Sequence, residues 1–474
     1  MYIGIDLGTS SVKVALLDEA QQLLATTSRA LAIERPKPLW VQQNPSDWWQ
    51  ATEAAMDELA YLYDLSAVQA IGLSGQMHGA TVLDRQDRVL FPAILWNDGR
   101  CEAQCVQLEK EVPESRQITG NLMMAGFTAP KLKWLAEHHR LIFKQVAKVL
   151  LPKDYLRLCL TGEYATDVSD ASGTMWLEVG KRRWSDKMLS VCELEQSQMP
   201  KLFEGNEITG YLRDKWARQW KMKSVAVVAG GGDNAASAVG LGLYEAGQAM
   251  LSLGTSGVYF VVSDGFLTNT AQAVHSFCHA LPERWHLMSV SLSAASAIDW
   301  AVKALGFTNV AQLFAAASQA REDSQVVFLP YLSGERTPHN NVYARGAFLG
   351  LGHEDNSATL ARAVIEGVSF ALLDGIEALE QTGVVAREVV LVGGGAKSAF
   401  WRQLLANICG KSLHYYRQSP VGAALGAARL AAMAVSGERV GCPLSVEVSE
   451  PKQMKEIDLD KRARFIERYG RLYG

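Results

Sequence analysis

No two cysteines stand in a CxxC spacing. The seven present, Cys101, Cys105, Cys159, Cys192, Cys278, Cys409 and Cys442, are scattered and odd in number. A disulfide framework or a zinc ribbon needs closer and more regular spacing, so reduced thiols in a cytoplasmic protein are the economical reading. Also missing is any run of about 18 apolar residues, so no transmembrane helix is expected. The opening stretch MYIGIDLGTSSVKVALLD has no basic segment, and Asp6 interrupts its apolar run, which argues against a secretory signal peptide. Neither sign of charge is in excess: 46 basic residues face 50 acidic ones, for a formal net charge of -4. That balance argues against a dedicated nucleic-acid partner or an anionic membrane surface. No segment is of low complexity. With 48% apolar and 20% charged residues over 474 positions, the chain reads as an ordinary globular protein of about two to four domains.

Several familiar catalytic motifs are absent too. There is no HExxH, no GxSxG in a strand–turn–helix setting, and no strand followed by GxGxxG, so a Rossmann dinucleotide site is not expected. Gly410-Lys411-Ser412 resembles the end of a P-loop. Leu405 stands where that pattern requires glycine, and the segment follows a helix, so Gly410 is read as a helix C-cap instead.

What is present is a repeated hairpin. Tyr2–Leu7 reads as a strand, Gly8-Thr9-Ser10-Ser11 as a turn, and Val12, Val14 and Leu16 resume the alternation. Half a chain later, Ala249–Leu253 runs into Gly254-Thr255-Ser256-Gly257 and then Val258-Tyr259-Phe260-Val261-Val262. The tetrapeptide Leu-Gly-Thr-Ser recurs at 7–10 and 253–256, between strands both times, which points to an internal duplication. Between the copies, strands and helices alternate. Asn44-Pro45-Ser46-Asp47 is a helix start, with Asn as N-cap and Pro at the first helical position, and the helix should run to about Tyr63. Strands are expected at 68–74 and 80–83, around the loop Gly75-Gln76-Met77-His78-Gly79. A strand at 224–229 ends in Gly230-Gly231-Gly232-Asp233-Asn234, and Glu388–Val392 ends in Gly393-Gly394-Gly395 before a helix at 400–408. The class is α/β, with a domain boundary near 240–248. From about Glu438 the patterning weakens and suggests a helical tail.

Four Gly-rich turns thus follow strands directly, at 8–11, 230–232, 254–257 and 393–395. Glycine lets backbone amides approach an oligophosphate, and Thr and Ser hydroxyls add donors. Any one such turn could be a plain hairpin; four together favour a phosphoryl ligand. Asp6 precedes the first turn where Ser252 precedes the second. One metal–nucleotide complex on a duplicated scaffold needs a single carboxylate near Mg²⁺. Asp233, behind three glycines at a helix start, reads either as an N-cap or as a general base for phosphoryl transfer. His78 with Gln76 in one inter-strand loop, and the group Trp96-Asn97-Asp98-Gly99-Arg100, suit polyol recognition or ordinary loop structure equally. His275, His279 and His286 are read as structural.

Ile5-Asp6-Leu7-Gly8-Thr9-Ser10, Gly230-Gly231-Gly232-Asp233-Asn234, Gly254-Thr255-Ser256 and Gly393-Gly394-Gly395-Ala396 together resemble the FGGY carbohydrate kinases, within the actin, hexokinase and Hsp70-like ATPase superfamily. Residues 126–134 are similar to that family's first signature and 346–366 to its second. Thr359 departs from the second, where an acidic, amide or His residue is usual, and the change is expected to be peripheral. The resemblance spans about residues 1–435. Loops 76–79, 96–100 and 331–338 are similar to those of the branch that phosphorylates D-xylulose.

The resemblance implies two ribonuclease-H-like domains flanking a central cleft, 1–243 on the sugar-binding side and 244–474 on the nucleotide-binding side. It implies ATP and Mg²⁺, with a sugar as the other small-molecule partner, no nucleic acid, no membrane, and a homodimer as a plausible assembly. Asp233 would be the proton acceptor, and Asp6 would act near Mg²⁺ through water. Gln76, Met77, His78, Trp96, Asp98, Arg100, Asp233 and Asn234 would meet the sugar. Gly8, Thr9, Ser10, Lys13, Gly254, Thr255 and Ser256 would serve the phosphates, and Gly394, Gly395 and Ala396 the adenosine. The alternatives are a kinase of another pentulose such as ribulose, of a gluconate-like acid or of glycerol, and, in another class, a non-kinase actin- or Hsp70-like ATPase or a silent sugar sensor.

Overall fold

Tyr2–Leu7 (β1) and Ser11–Leu17 (β2) pair antiparallel, which sets Asp6 opposite Lys13 and Leu7 opposite Val12. The computed structural model describes residues 1–416, 422–439, 446–454 and 456–473. β2 continues the meander into Leu23–Ala30 (β3), and β1 takes Ala70–Gly75 (β4) as its parallel neighbour on the other side. Ile208–Tyr211 (β5) and Ala226–Val228 (β6) complete the sheet in the order β5-β6-β4-β1-β2-β3, with Gly231–Gly232 (β7) pairing the end of β4. β4 is buried at every residue, as expected of a central strand covered on both faces.

The second half repeats this. Ala249–Leu253 (β8) and Gly257–Ser263 (β9) form the second hairpin. His275–Cys278 (β10) and Trp285–Ser291 (β11) follow, then Glu388–Val392 (β12), Ser412–Tyr415 (β13) and Glu447–Ser449 (β14). The order is β10-β11-β9-β8-β12-β13-β14. β11-β9-β8-β12-β13 matches β3-β2-β1-β4-β6 strand for strand, antiparallel in the meander and parallel beyond it. The duplication suggested by one tetrapeptide therefore extends through five strands, and the fold is the two-sheet α/β architecture the resemblance implies.

The second half lends a helix to the first sheet, and the helix after the Gly-rich loop packs on it. Asp233–Gly240 (α5 below) puts Ala238 into a cluster with Met250, Phe260 and Val390 of the second sheet. Ala423–Ser436, from the far end of the chain, packs Leu425, Ala428 and Ala432 on Tyr2, Ala70 and Val228 of the first. The approach is so close that a Cβ at Gly72 would lie 1.8 Å from Ala427 O, and one at Gly4 1.9 Å from Ala424 O.

The remaining helices that position the site are Pro45–Leu62 (α1), Thr128–His138 (α2), Pro152–Thr161 (α3), Val168–Ser172 (α4), Asp233–Gly240 (α5), Ser357–Glu380 (α6), Ala399–Cys409 (α7), Ala423–Ser436 (α8) and Glu456–Tyr473 (α9). α1 begins as expected, Asn44 Oδ1 accepting from Ser46 N at 3.1 Å with Pro45 next. α7 closes on Gly410 at φ 63°, the C-cap expected there. Thr359 sits in the first turn of α6, where Asn356 Oδ1 accepts from its amide at 3.2 Å. The stretch expected as a helical tail holds a strand, β14, before its helix. The inward face of α9 explains its weak apolar pattern: Lys461 Nζ donates to Glu366 at 2.9 and 3.0 Å, and Arg462 pairs with Asp374 and Glu377, leaving Phe465 as its fully buried apolar contact. Cys442 lies outside the described residues. Among the described residues, no helix is long and apolar enough to cross a membrane.

Candidate active site

After β6 the chain turns through Gly230 at φ 80°, where a Cβ would lie 1.7 Å from Leu73 O, so only glycine fits. β7 then lies beside Ser74 and Gly75 of β4, and α5 starts. Gly232 is the N-cap and Asp233 the first helical residue, so the N-cap reading of Asp233 does not hold. Asp233 Oδ1 accepts from Asn234 N at 2.7 Å and from Asn234 Nδ2 at 2.9 Å. Burial pushes its pKa up to about 6 against the pull of those bonds.

A buried ionic cluster holds this loop from behind. Arg157 donates to Val228 O at 2.7 Å and to Ala229 O at 2.5 Å. The Gly232 amide donates to Ser169 Oγ at 3.2 Å, and that hydroxyl donates to Asp167. Lys153, with no exposed surface, reaches Asp154 at 2.6 Å, Asp167 at 2.8 Å and Asp170 at 3.2 Å.

Asp6 is the second carboxylate. In register it faces Lys13 on one side and Ser74 on the other, and Ser74 in turn faces Gly231, which puts Asp6 and the Asp233 loop in one row. Burial, then the charge of Asp233, raise the Asp6 pKa to about 7, with Lys13 opposing. Asp6 Oδ1 is shut off from solvent without a hydrogen-bond partner among the described residues. An orphaned hard oxygen beside a second carboxylate fits a divalent cation that keeps water and phosphate oxygens as its other ligands. No group of three or more His, Cys, Asp or Glu side chains able to hold a metal occurs among the described residues.

The wall facing Asp233 is built on the loop after β4. His78 adopts φ 71°, a left-handed conformation that a non-glycine residue holds only under constraint. The constraint is visible: Lys131 Nζ donates to His78 O at 2.8 Å and Thr128 Oγ1 at 3.3 Å. The ring is pinned by Nδ1 against Gly173 O at 2.9 Å, so Nδ1 carries the proton and Nε2 is an acceptor. Burial holds its pKa well below the usual value, so it is neutral. Trp96 donates from Nε1 to Thr9 Oγ1 at 3.0 Å. Thr9 Oγ1 donates to Gln76 Oε1 at 3.0 Å, and Gln76 Nε2 to Gln43 Oε1 at 3.0 Å.

A cleft of about 240 Å³ collects Met77, His78, Trp96, Asp233, Asn234 and Ser256. Three residues expected on the sugar do not line it. Gln76 is 2% exposed and supports Thr9 from behind. Asp98 and Arg100 form a buried ion pair at 2.7 Å, with Arg100 stacked on Trp40 at 3.9 Å, and fix the loop that carries Trp96.

On the other side, the second hairpin docks on a helix start: Thr255 O accepts from Ala294 N at 3.1 Å and Ser296 N at 3.2 Å, and Gly254 O from Ala295 N at 2.9 Å. Gly393, at φ 93°, lets the chain pass Leu253 O and enter the 3-10 turn Gly394–Lys397, where space beside Gly394 is open. Gly394, Gly395 and Ala396 therefore flank the second hairpin directly, whereas Gly230, Gly231 and Gly232 lie beside β4, one strand away from the first.

Residues 1–240 match the N-terminal domain of the FGGY family of carbohydrate kinases, and residues 249–435 match its C-terminal domain. The chain belongs to this family. It is accordingly a phosphotransferase of the carbohydrate-kinase type. A xylulose kinase of Escherichia coli (strain K12) is 60% identical over 440 residues, 93% of this chain and 91% of that protein. A xylulose kinase of Klebsiella pneumoniae is 57% identical over 439 residues, 92% of this chain and 91% of that protein. A solved structure described as a xyloylose kinase from Brucella ovis superposes with a TM-score of 0.94 at 45% identity, covering 100% of this chain and 98% of that one.

In this carbohydrate kinase the first signature has a visible purpose. It delivers Phe127 to the cleft, edge-on to His78 at 4.9 Å, and Lys131 to the His78 carbonyl. Sequence reasoning missed Phe127, His275 and Arg336, all of which line the cleft. His275 was expected to be structural like His279 and His286; those two are buried outside the cleft lining, whereas His275 faces it. Its position on β10, an edge strand reached late in the chain, leaves no local pattern to find.

Proposed function

We propose that this chain transfers the γ-phosphoryl group of ATP to the terminal hydroxyl of D-xylulose, giving D-xylulose 5-phosphate, with Asp233 as general base. The observation that carries this is the place of Asp233: it shares one cleft with Met77, His78 and Trp96 on one side and Ser256 of the second hairpin on the other. A carboxylate with a pKa near 6 is ionised at neutral pH and still basic enough to accept a proton in the transition state. His78 Nε2 accepts from a sugar hydroxyl, Asn234 adds an amide, and Trp96 gives an apolar face. The new bond forms between the C5 oxygen and the γ-phosphorus, the bond from that phosphorus to the bridging oxygen of ADP breaks, and the hydroxyl proton passes to Asp233.

Residues 1–243 carry most of the sugar contacts on this reading and residues 244–474 most of the nucleotide contacts. Gly254, Thr255 and Ser256 meet the phosphates from the second half, and Gly8, Thr9, Ser10 and Lys13 from the first. Gly394, Gly395 and Ala396 face the adenosine. Asp6, with Asp233 near it, would hold magnesium, which when bound offsets phosphate charge. Closing the cleft excludes water and limits ATP hydrolysis. The six described cysteines are unpaired, which supports a reducing, cytoplasmic setting, and a homodimer is the expected assembly, checked by sedimentation.

An ADP-release assay across D-xylulose, D-ribulose, gluconate and glycerol tests the substrate. D-xylulose should give the highest kcat/KM. A clearly higher value for another polyol overturns the substrate, and no sugar-dependent ADP release overturns the kinase mechanism.

A further inference from the structure

Two polar side chains in the cleft wall come from the second half of the chain and have no hydrogen-bond or ion-pair partner among the described residues. His275 is 4% exposed, and its ring makes no hydrogen bond among the described residues, yet it lines the cleft. The Arg336 guanidinium lines the same cleft with neither hydrogen bond nor ion pair among the described residues. Its neighbour Glu335 acts on it electrostatically but forms no direct ion pair with the guanidinium, because its oxygens are engaged elsewhere. Glu335 Oε1 accepts from Leu292 N at 2.9 Å and Arg336 N at 2.8 Å, and Oε2 accepts from Ser291 Oγ at 2.8 Å. A half-buried guanidinium and a buried imidazole normally find acceptors and donors, so their freedom here points to a ligand.

Both are held rigidly. Thr337 donates from Oγ1 to Ala273 O at 2.9 Å and accepts from Val290 N at 3.2 Å, which clamps the Arg336 loop to β11 and to the segment that leads into β10. Asn121, from the first half, brackets the next residue of that strand, accepting from Ser276 N at 3.1 Å and donating to Ser276 O at 2.9 Å. His275 stacks on Phe277 at 5.7 Å and meets Phe127 edge-on at 5.6 Å. Phe127 also meets His78, at 4.9 Å, so His275 sits at the His78 end of the cleft, and Arg336 lines the same wall. Burial and the positive charge of Arg336 keep the His275 imidazole neutral, with one donor and one acceptor nitrogen.

We infer that His275 and Arg336 form the subsite for the end of the sugar that is not phosphorylated, with Arg336 donating to the C2 ketone oxygen and His275 exchanging a hydrogen bond with the C1 hydroxyl. This rests on the D-xylulose reading. The chemistry matches by type: a ketone oxygen only accepts and a guanidinium only donates, while a hydroxyl and a neutral imidazole each do both. A ketose is then favoured over its alditol at this subsite, because an alditol brings a hydroxyl proton to a position already filled with donors.

The test compares wild type, Arg336→Met, Arg336→Lys and His275→Phe, using D-xylulose and 1-deoxy-D-xylulose as substrates and xylitol as competitive inhibitor, with KM for ATP and thermal melting as controls of fold. Arg336→Met should raise KM for D-xylulose by about 10–100-fold, the usual scale for a hydrogen bond from a charged group, and bring it close to the inhibition constant of xylitol. Arg336→Lys should recover part of the loss. His275→Phe keeps the aromatic stack and should erase the preference of wild type for D-xylulose over its 1-deoxy analogue. An unchanged ketose-to-alditol ratio in Arg336→Met, with KM for ATP intact, overturns the inference. A wild type that does not turn over D-xylulose overturns the substrate reading instead, so the two failures are told apart. A variant that melts early or loses ATP binding is replaced by Arg336→Gln or His275→Gln, read on the same ratios.

Discussion

Trp96 donates its indole N–H to Thr9 Oγ1 at 3.0 Å, so a residue of the cleft wall rests on a residue of the first Gly-Thr-Ser turn. The Thr9 hydroxyl passes the connection on to Gln76, and Gln43 Nε2 returns to Thr9 O at 2.8 Å. The first hairpin and the sugar loop therefore form one hydrogen-bonded unit. Trp96→Phe keeps the ring but breaks the bond, and should raise KM for ATP as well as for sugar by about 2–10-fold. Thr9→Val should do the same from the nucleotide side. A double-mutant cycle should show the two changes to be non-additive; strict additivity would mean the bond carries no coupling.

Asp233→Asn leaves the acceptor oxygen for Asn234 but removes the base. Turnover should fall on the order of 10²–10⁴-fold, while melting temperature and ATP binding stay close to wild type. Near-normal kcat in this variant would remove Asp233 from its role.

The two carboxylates also set a pH limb. Asp233 is raised to about 6 and Asp6 to about 7, each by burial first. As pH falls through that window both gain protons, the base is lost, and kcat/KM measured on the free enzyme should decline below about pH 6 to 7. A flat profile down to pH 5 would contradict the assignment.

Asp6 makes an opposite prediction for stability. Its folded pKa lies above the unfolded value of 3.8, so the folded state binds the proton more tightly. The cost to stability is absent below pH 3.8, grows as pH rises, and is complete above about pH 7. Asp6→Asn removes it. Without nucleotide or divalent cation, the variant should be more stable than wild type at pH 8 by on the order of 1 kcal/mol or more, with the gap narrowing at pH 5, while activity is lost. Melting curves at the two pH values decide it.

The hairpins and the Gly-rich loop before Asp233 were legible because glycine, a strand end and a repeated tetrapeptide sit next to one another in the chain. Those turns alone single out Asp6 and Asp233 as candidates. Asp98 and Arg100 misled for a physical reason: an aromatic and several hydrogen-bonding side chains in one loop look like a binding surface, but a carboxylate two residues from a guanidinium can pair with it and bury both. His275 and Arg336 were invisible because their value lies in what they fail to contact, which only the folded wall reveals. The packing of α8 on the first sheet and on α5 was equally hidden, since small residues at 4, 72 and 426 signal closeness without naming the partner.

The cluster behind the Asp233 loop separates two kinds of buried acid. Lys153 is surrounded by Asp154, Asp167 and Asp170, with Arg157 as the other cation. Burial drives Asp170 well above the ordinary carboxylate range, so it is the acid of this cluster that takes a proton most readily. Lys153→Met removes one cation and leaves buried charge uncompensated, which should cost about 3–5 kcal/mol in urea unfolding. Asp170→Asn replaces a protonated acid by a neutral amide of the same shape and should change stability by less than about 1 kcal/mol. The ordering matters more than either value: an Asp170→Asn loss as large as that of Lys153→Met would show Asp170 to be ionised.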